Sequence, residues 1–220
     1  MQISKIVSLK KGQCELDSHA DTTVAGSNMI FLDDMNDATP TVEVSPFSDS
    51  YKPIKGVPVG TCATAYDCPT TGRVNILLFG QALYFGDKMS ASLLCPNQIR
   101  ANGNKVQDVP CQYDTDSPHG LTFIDDKTDE SLFIPLRMDG VISYLDSRQP
   151  SLDEIEGNVE SQHFWATSDR EWNPHSEQFA QDERLASNFR NNNYEQDEDE
   201  RLHRIKACAQ NCNISSIDIA

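Results

Sequence analysis

The chain has 220 residues, room for one ordinary domain with a sizeable appendage or for two small domains. Only 38% of the residues are apolar, low for a fully packed globule, so part of the chain is expected to stay outside the core. The net charge of -16 argues against a phosphate-binding surface of clustered Lys and Arg, and no apolar run approaches the roughly 18 residues of a membrane span. The N-terminus lacks the apolar core of a signal peptide. An intracellular, cytoplasmic protein is therefore expected, with neither nucleic acid nor membrane among its partners.

The first part of the chain reads as β-rich. ISKIVSL (3–9) is a strand candidate, KKG (10–12) a turn, and QCEL (13–16) a second strand that delivers Asp17. MIFL (29–32) and TVEVSPF (41–47) follow as short strands. VNILLFGQALYFG (74–86) is the longest apolar stretch and is interrupted by Gly80, so it predicts buried strands rather than a helix. Pro96 suits a first helical turn and Gly103 a position just past a helix end, which predicts a short helix over 96–102. SLFIPLRMDGVISYL (131–145) predicts two strands joined through Asp139-Gly140.

After residue 150 the composition changes. Residues 151–220 hold 15 acidic and 6 basic residues, more than half of the net charge. The block EQDEDE (195–200) is too polar and too like-charged to pack. A domain over 1–150 is thus expected, followed by a mostly disordered acidic tail over 151–220, within which Trp165 and Trp172 could anchor a small docked piece.

Seven cysteines, at 14, 62, 68, 95, 111, 208 and 212, are odd in number and irregular in spacing. Without a secretion signal they do not predict a disulfide framework. Cys208 and Cys212 are close together, but no Cys-x2-Cys pair exists and no histidine follows at ligand spacing, so neither a metal nor another cofactor is expected.

The stretch that carries chemistry is ELDSHADTTVAG (15–26). An apolar residue leads into Asp17-Ser18, then a histidine, a small residue and a second aspartate. Taken alone, Asp-Ser at a strand end is an ordinary polar turn. An aspartic protease makes more specific demands. Two carboxylates must face one water molecule closely enough to share a proton, one acting as base and the other as acid. A small hydroxyl beside the acid can lock two such loops together.

Residues 16–24, LDSHADTTV, resemble the active-site loop of retropepsins, in which an apolar residue precedes Asp, then Thr or Ser, Gly, Ala, and Asp or Ser, with Thr-Val nearby. In that resemblance Asp17 takes the place of the catalytic acid and Ser18 that of the locking hydroxyl. Ala20 and Asp21 match the small and acidic positions, and Val24 the apolar one. His19 departs from the pattern, since the family has a glycine there that lets backbone lie against substrate. ALYFGDKMSASLLCPNQIRANG (82–103) is similar to the late apolar segment and short helix of copia-type members. By that similarity Leu93 and Leu94 pack behind the loop and Ile99 fills the helix side of the core. GVPVGTCATAYDCPTTGRVNILLF (56–79) has the position and composition of the flap hairpin.

The run as a whole looks like the protease region of copia-type LTR retrotransposon polyproteins, over most of 1–150 and more loosely to about 175. The resemblance implies an all-β fold: a retropepsin-like closed β-barrel with a flap hairpin and one short helix, followed by a largely disordered acidic C-terminal tail. It implies a homodimer, since each chain carries one Asp-Ser motif. Its substrate would be an extended polypeptide, the element's own Gag-Pol polyprotein, cut in the cytoplasm or within virus-like particles.

Other fragments read more plainly. YLDSRQP (144–150) repeats Leu-Asp-Ser but lacks the continuation, and predicts a strand-end turn. FIDD (123–126) resembles the paired acids of a polymerase in a chain too short for one. Histidines 19, 119, 163, 175 and 203 are scattered, and no thiol sits in a Cys-His nucleophile motif, so Cys14 is expected to be a small buried core residue. Beside the endopeptidase stand two other classes: a retropepsin-fold binding or dimerisation module without catalysis, which His19 favours, and a scaffold piece of a longer polyprotein.

Overall fold

The computed structural model describes residues 9–190 except positions 37, 46–49, 51, 126, 127 and 129. The expected strand over 3–9 falls almost wholly outside the described residues, as do Asp126, the EQDEDE block, Cys208 and Cys212. The remainder is mostly β. No helix among the described residues is long and apolar enough to cross a membrane.

Two long strands form the centre. β1 (Lys11–Leu16), β2 (Val24–Gly26), β3 (Ile30–Phe31) and β4 (Thr41–Val44) precede them. β5 (Ile54–Asp67) and β6 (Val74–Gly86) then pair antiparallel along most of their length. Their middles are buried on both faces, which is why the sequence there is continuously apolar or small rather than alternating. Cys62, Tyr66, Leu77 and Phe79 join the main core, while Ala63, Ala65 and Ile76 form a second cluster.

This corrects the expected flap: the hairpin over 56–79 exists, but its interior is core. Largely exposed β4 pairs antiparallel with the first half of β5, of which Ile54, Lys55 and Gly56 are exposed and Val57 is buried. Nor does Gly80 end a strand. β6 runs through it, and the pairing with β5 slips by one residue between Gly60 and Cys62, a bulge at which Gln81 adopts a φ of 54°.

β7 (Ser92–Leu94) leads into α1 (Pro96–Ala101), where Pro96 sits in the first turn and Gly103, with φ 83°, follows the end. β8 (Lys105–Gln107), β9 (Gly120–Asp125) and β10 (Glu130–Pro135) make a separate three-stranded sheet. β11 (Arg137–Asp139) and β12 (Ile142–Arg148) form the hairpin expected at Asp139-Gly140, with Asp139 facing Ile142 across the turn. The apolar run 131–145 therefore supplies parts of three strands rather than two.

β12 pairs antiparallel with β1, from Lys11↔Arg148 to Glu15↔Tyr144. The N-terminal KKG turn is thus corrected: Lys11 and Gly12 are strand residues, because a downstream strand supplies the ladder beside them. YLDSRQP is corrected likewise, since β12 continues through Asp146-Ser147 to Arg148. The large sheet runs β11-β12-β1-β7-β2-β6-β5-β3, and a single further pair, Arg148↔Ala65, links β12 to β5.

The domain boundary at 150 is also corrected. The first compact unit extends to Trp172. α2 (Leu152–Ile155) is opened by a capping box between Ser151 and Glu154, and β13 (Ser161–Thr167) pairs parallel with β6. Phe164, Ala166 and Thr167 are buried, whereas acidic Asp153, Glu156 and Glu160 are exposed. Composition averaged over both faces, and so hid a core strand inside a polar segment. In the second unit, α3 (Glu177–Arg190) is a helix where a disordered tail was expected.

Candidate active site

The loop that follows β1 is built from its two ends. At the start, β1 lies parallel to β7 with Leu16 opposite Leu94, and the Asp17 amide donates to the Leu94 carbonyl at 3.0 Å. The strand therefore ends against β7, and the chain turns: the Ala20 amide donates to the Asp17 carbonyl at 3.3 Å. At the far end, β2 runs antiparallel to β7 (Val24↔Leu93) and parallel to β6. β7 thus sits between the two strands that flank the loop. Leu94 and Ile99 are fully buried, as the copia-type similarity implied, and Leu93 is half-buried.

Thr23 fixes that end. Its amide donates to Gln98 Oε1 at 2.9 Å, its carbonyl accepts from the Leu83 amide at 2.9 Å, and its hydroxyl accepts from the Cys95 amide at 3.3 Å. Gln98 is itself buried and spans from α1 to the carbonyls of Gly80 and Gln81. In sequence, Gln98 looked like one more polar helix residue. Nothing in the flanking residues of the short helix set it apart.

Between these anchors Asp17, Ser18, His19, Ala20 and Asp21 lie on one turn, so the structure brings together all five residues singled out in sequence. Ser18, His19 and Asp21 are exposed, and Asp17 and Ala20 are half-buried. The Asp17 carboxylate accepts a hydrogen bond from the His19 amide at 2.9 Å, and the His19 ring Nδ1 lies 3.9 Å from the same oxygen. The carboxylate is held by backbone yet open to a partner. The Asp21 carbonyl accepts from Trp172 Nε1 at 2.8 Å, which places one of the two tryptophans against the loop.

Behind the loop is a buried polar cluster that sequence did not reveal. Asn28 Nδ2 donates to Ser147 Oγ at 2.7 Å, and Ser92 Oγ donates to Asn28 Oδ1 at 2.7 Å while accepting from the Gly26 amide at 2.9 Å. Cys14 Sγ completes the cluster, 3.2 Å from Asn28 Nδ2 and 3.3 Å from Ser147 Oγ. Burial pushes the Cys14 thiol up to about 11, so it stays protonated and inert near neutrality. These groups pin β1, β2, β7 and β12 to one another.

An open cleft of about 780 Å³ lies beside α1 and β13, lined in part by Gln98, Trp165 and Trp172, and Asp17 does not line it. No protein-family model, curated protein or solved structure matches the chain.

Proposed function

We propose that the protein is a homodimeric aspartic endopeptidase with a retropepsin-like closed barrel, processing the Gag-Pol polyprotein of a copia-type retrotransposon. The observation that carries the proposal is the placement of Asp17. It ends a strand on a tight turn, with its amide bonded to β7 and its carboxylate open beside an exposed Ser18. One such acid per chain becomes a dyad only when a second chain brings its own. One Asp17 then takes a proton from water as the water attacks the peptide carbonyl. The other, protonated, stabilises the developing oxyanion and passes its proton toward the leaving amine. The ring of pairings through β12, β1, β7, β2, β6 and β5, returning by Arg148↔Ala65, supports the barrel.

The test is cleavage of extended peptides. Turnover should follow a bell-shaped pH profile on the acid side of neutrality, stop with an aspartic-protease transition-state inhibitor, and ignore chelators and thiol or serine reagents. Activity that collapses with a chelator would overturn the assignment. One observation favours a second reading, a binding or dimerisation module of the same fold without catalysis. An exposed His19 side chain stands where the family keeps bare backbone for substrate. Peptide binding without turnover would select it.

A further inference from the structure

We infer that Trp172 is a positioning residue for the loop that carries Asp17, acting through the Asp21 carbonyl; this rests on the aspartic-protease reading. The loop is tied at Asp17 by Leu94 and at Thr23 by Gln98, Leu83 and Cys95. The stretch between these ties is exposed or half-buried. Trp172, 151 residues downstream of Asp21, reaches into that stretch with its indole N–H at 2.8 Å from the carbonyl oxygen.

The indole is mounted on a fixed support. Residues 168–169 lie directly on Gly80, where an added Cβ would stand 2.3 Å from the Ser168 carbonyl oxygen. Thr167 Oγ1 donates to the Gly80 carbonyl at 2.8 Å, and Gln81 Nε2 donates to the Asp169 carbonyl at 3.2 Å. The same two residues, Gly80 and Gln81, receive Gln98 Nε2, whose Oε1 holds the Thr23 amide. The bulge in β6 is thus a common floor for the end of the loop and for the segment that presents Trp172. A strap built this way fixes the loop's backbone relative to α1 and β6. A displacement of about 1 Å in a group that orients a reacting centre costs on the order of a hundredfold in rate.

The experiment uses the full chain with Trp165→Phe, so that Trp172 is the single tryptophan. Trp172→Phe removes the donor and keeps an aromatic ring. A second variant places β-(3-benzothienyl)alanine at 172, which keeps the indole's shape and lacks only the N–H. Both should speed amide hydrogen exchange over residues 18–23 about tenfold and lower kcat about tenfold or more. KM and Tm should stay nearly unchanged. Unaltered exchange and kcat in the benzothienyl variant would overturn the inference. If the parent chain cleaves no peptide, the protease reading fails by itself, and the exchange measurement still decides whether Trp172 holds the loop.

Discussion

Leu-Asp-Ser occurs twice in this chain, at 16–18 and 145–147, on strands that pair with each other. The two copies meet different fates. After Leu16 the backbone leaves the ladder: the Asp17 amide goes to Leu94, and Asp17-Ser18 becomes an open turn. After Leu145 the ladder continues through Lys11↔Arg148, and the Gln149 amide still donates to the Lys10 carbonyl at 2.8 Å. Asp146 then points outward to pair with Arg137, while Ser147 is buried against Asn28. The next position diverges as well. The His19 side chain is 97% exposed, whereas that of Arg148 is 13% exposed and held by both Asp67 and Glu154. A tripeptide becomes a candidate site through where its strand stops, not through its residue types.

The two aspartates should differ most. Asp17→Asn should cut turnover by on the order of 10³-fold with the fold intact, because an amide can neither accept a proton from water nor share one. Asp146→Asn should leave kcat and Tm unchanged, since its ion pair is exposed. Specific activity should fall on dilution below the dimer dissociation constant, and excess Asp17→Asn chain should suppress the wild type by forming mixed dimers. Activity indifferent to both treatments would mean the site is not shared.

At the residues that follow, His19 and Arg148, the contrast is one of pH. The Arg148 guanidinium holds the Glu154 carboxyl down to about 2 from an ordinary 4.5. A depressed acid stabilises the fold fully above pH 4.5 and loses that contribution as the pH falls toward 2. Denaturant titrations should show a loss on the order of 2 kcal/mol across this window, absent in Glu154→Gln. The two serines should differ by less. Ser147→Ala strips Asn28 of a buried partner and should cost about 1–2 kcal/mol, read as a Tm lowered by a few degrees. Ser18→Ala should leave the monomer's stability unchanged. The smallest effect is expected at His19. His19→Gly should fold normally and cleave as fast as the wild type or a few-fold faster, and a large loss would give the histidine an orienting role.

The features legible in sequence were those written locally. QCEL delivering Asp17, the helix opened by Pro96 and closed by Gly103, and the turn at Asp139-Gly140 all depend on neighbours a few residues away. The five residues of the loop were singled out for the same reason. The misses around the loop depend on partners more than sixty residues distant, whereas α3 and the short strand β11 are local features hidden in polar or continuous runs. Asp146-Ser147 looked like a turn because Pro150 is near, but the ladder needs no donor from Pro150 and runs up to Gln149. β13 was hidden because exposed His163 and Trp165 alternate with buried Phe164 and Ala166 inside an acidic segment, and its parallel pairing with β6 has no signature of its own. Asn28 and Gln98 carry nothing in their flanking residues that marks them as buried hubs.

The pairing of β1 with β12 also governs the order of folding. β1 is synthesised early, yet the strand that completes its ladder emerges about 130 residues later, which at about 5–20 residues per second is a delay of roughly 7–26 s. Until then one edge of β1 has no β12 against it, and the Asn28 cluster lacks Ser147. Contacts of such long sequence separation make folding slow, because the loop must close before they are gained. A chain stopped before Ile142 would hold the whole Asp17 loop in its sequence without the β12 ladder beside β1.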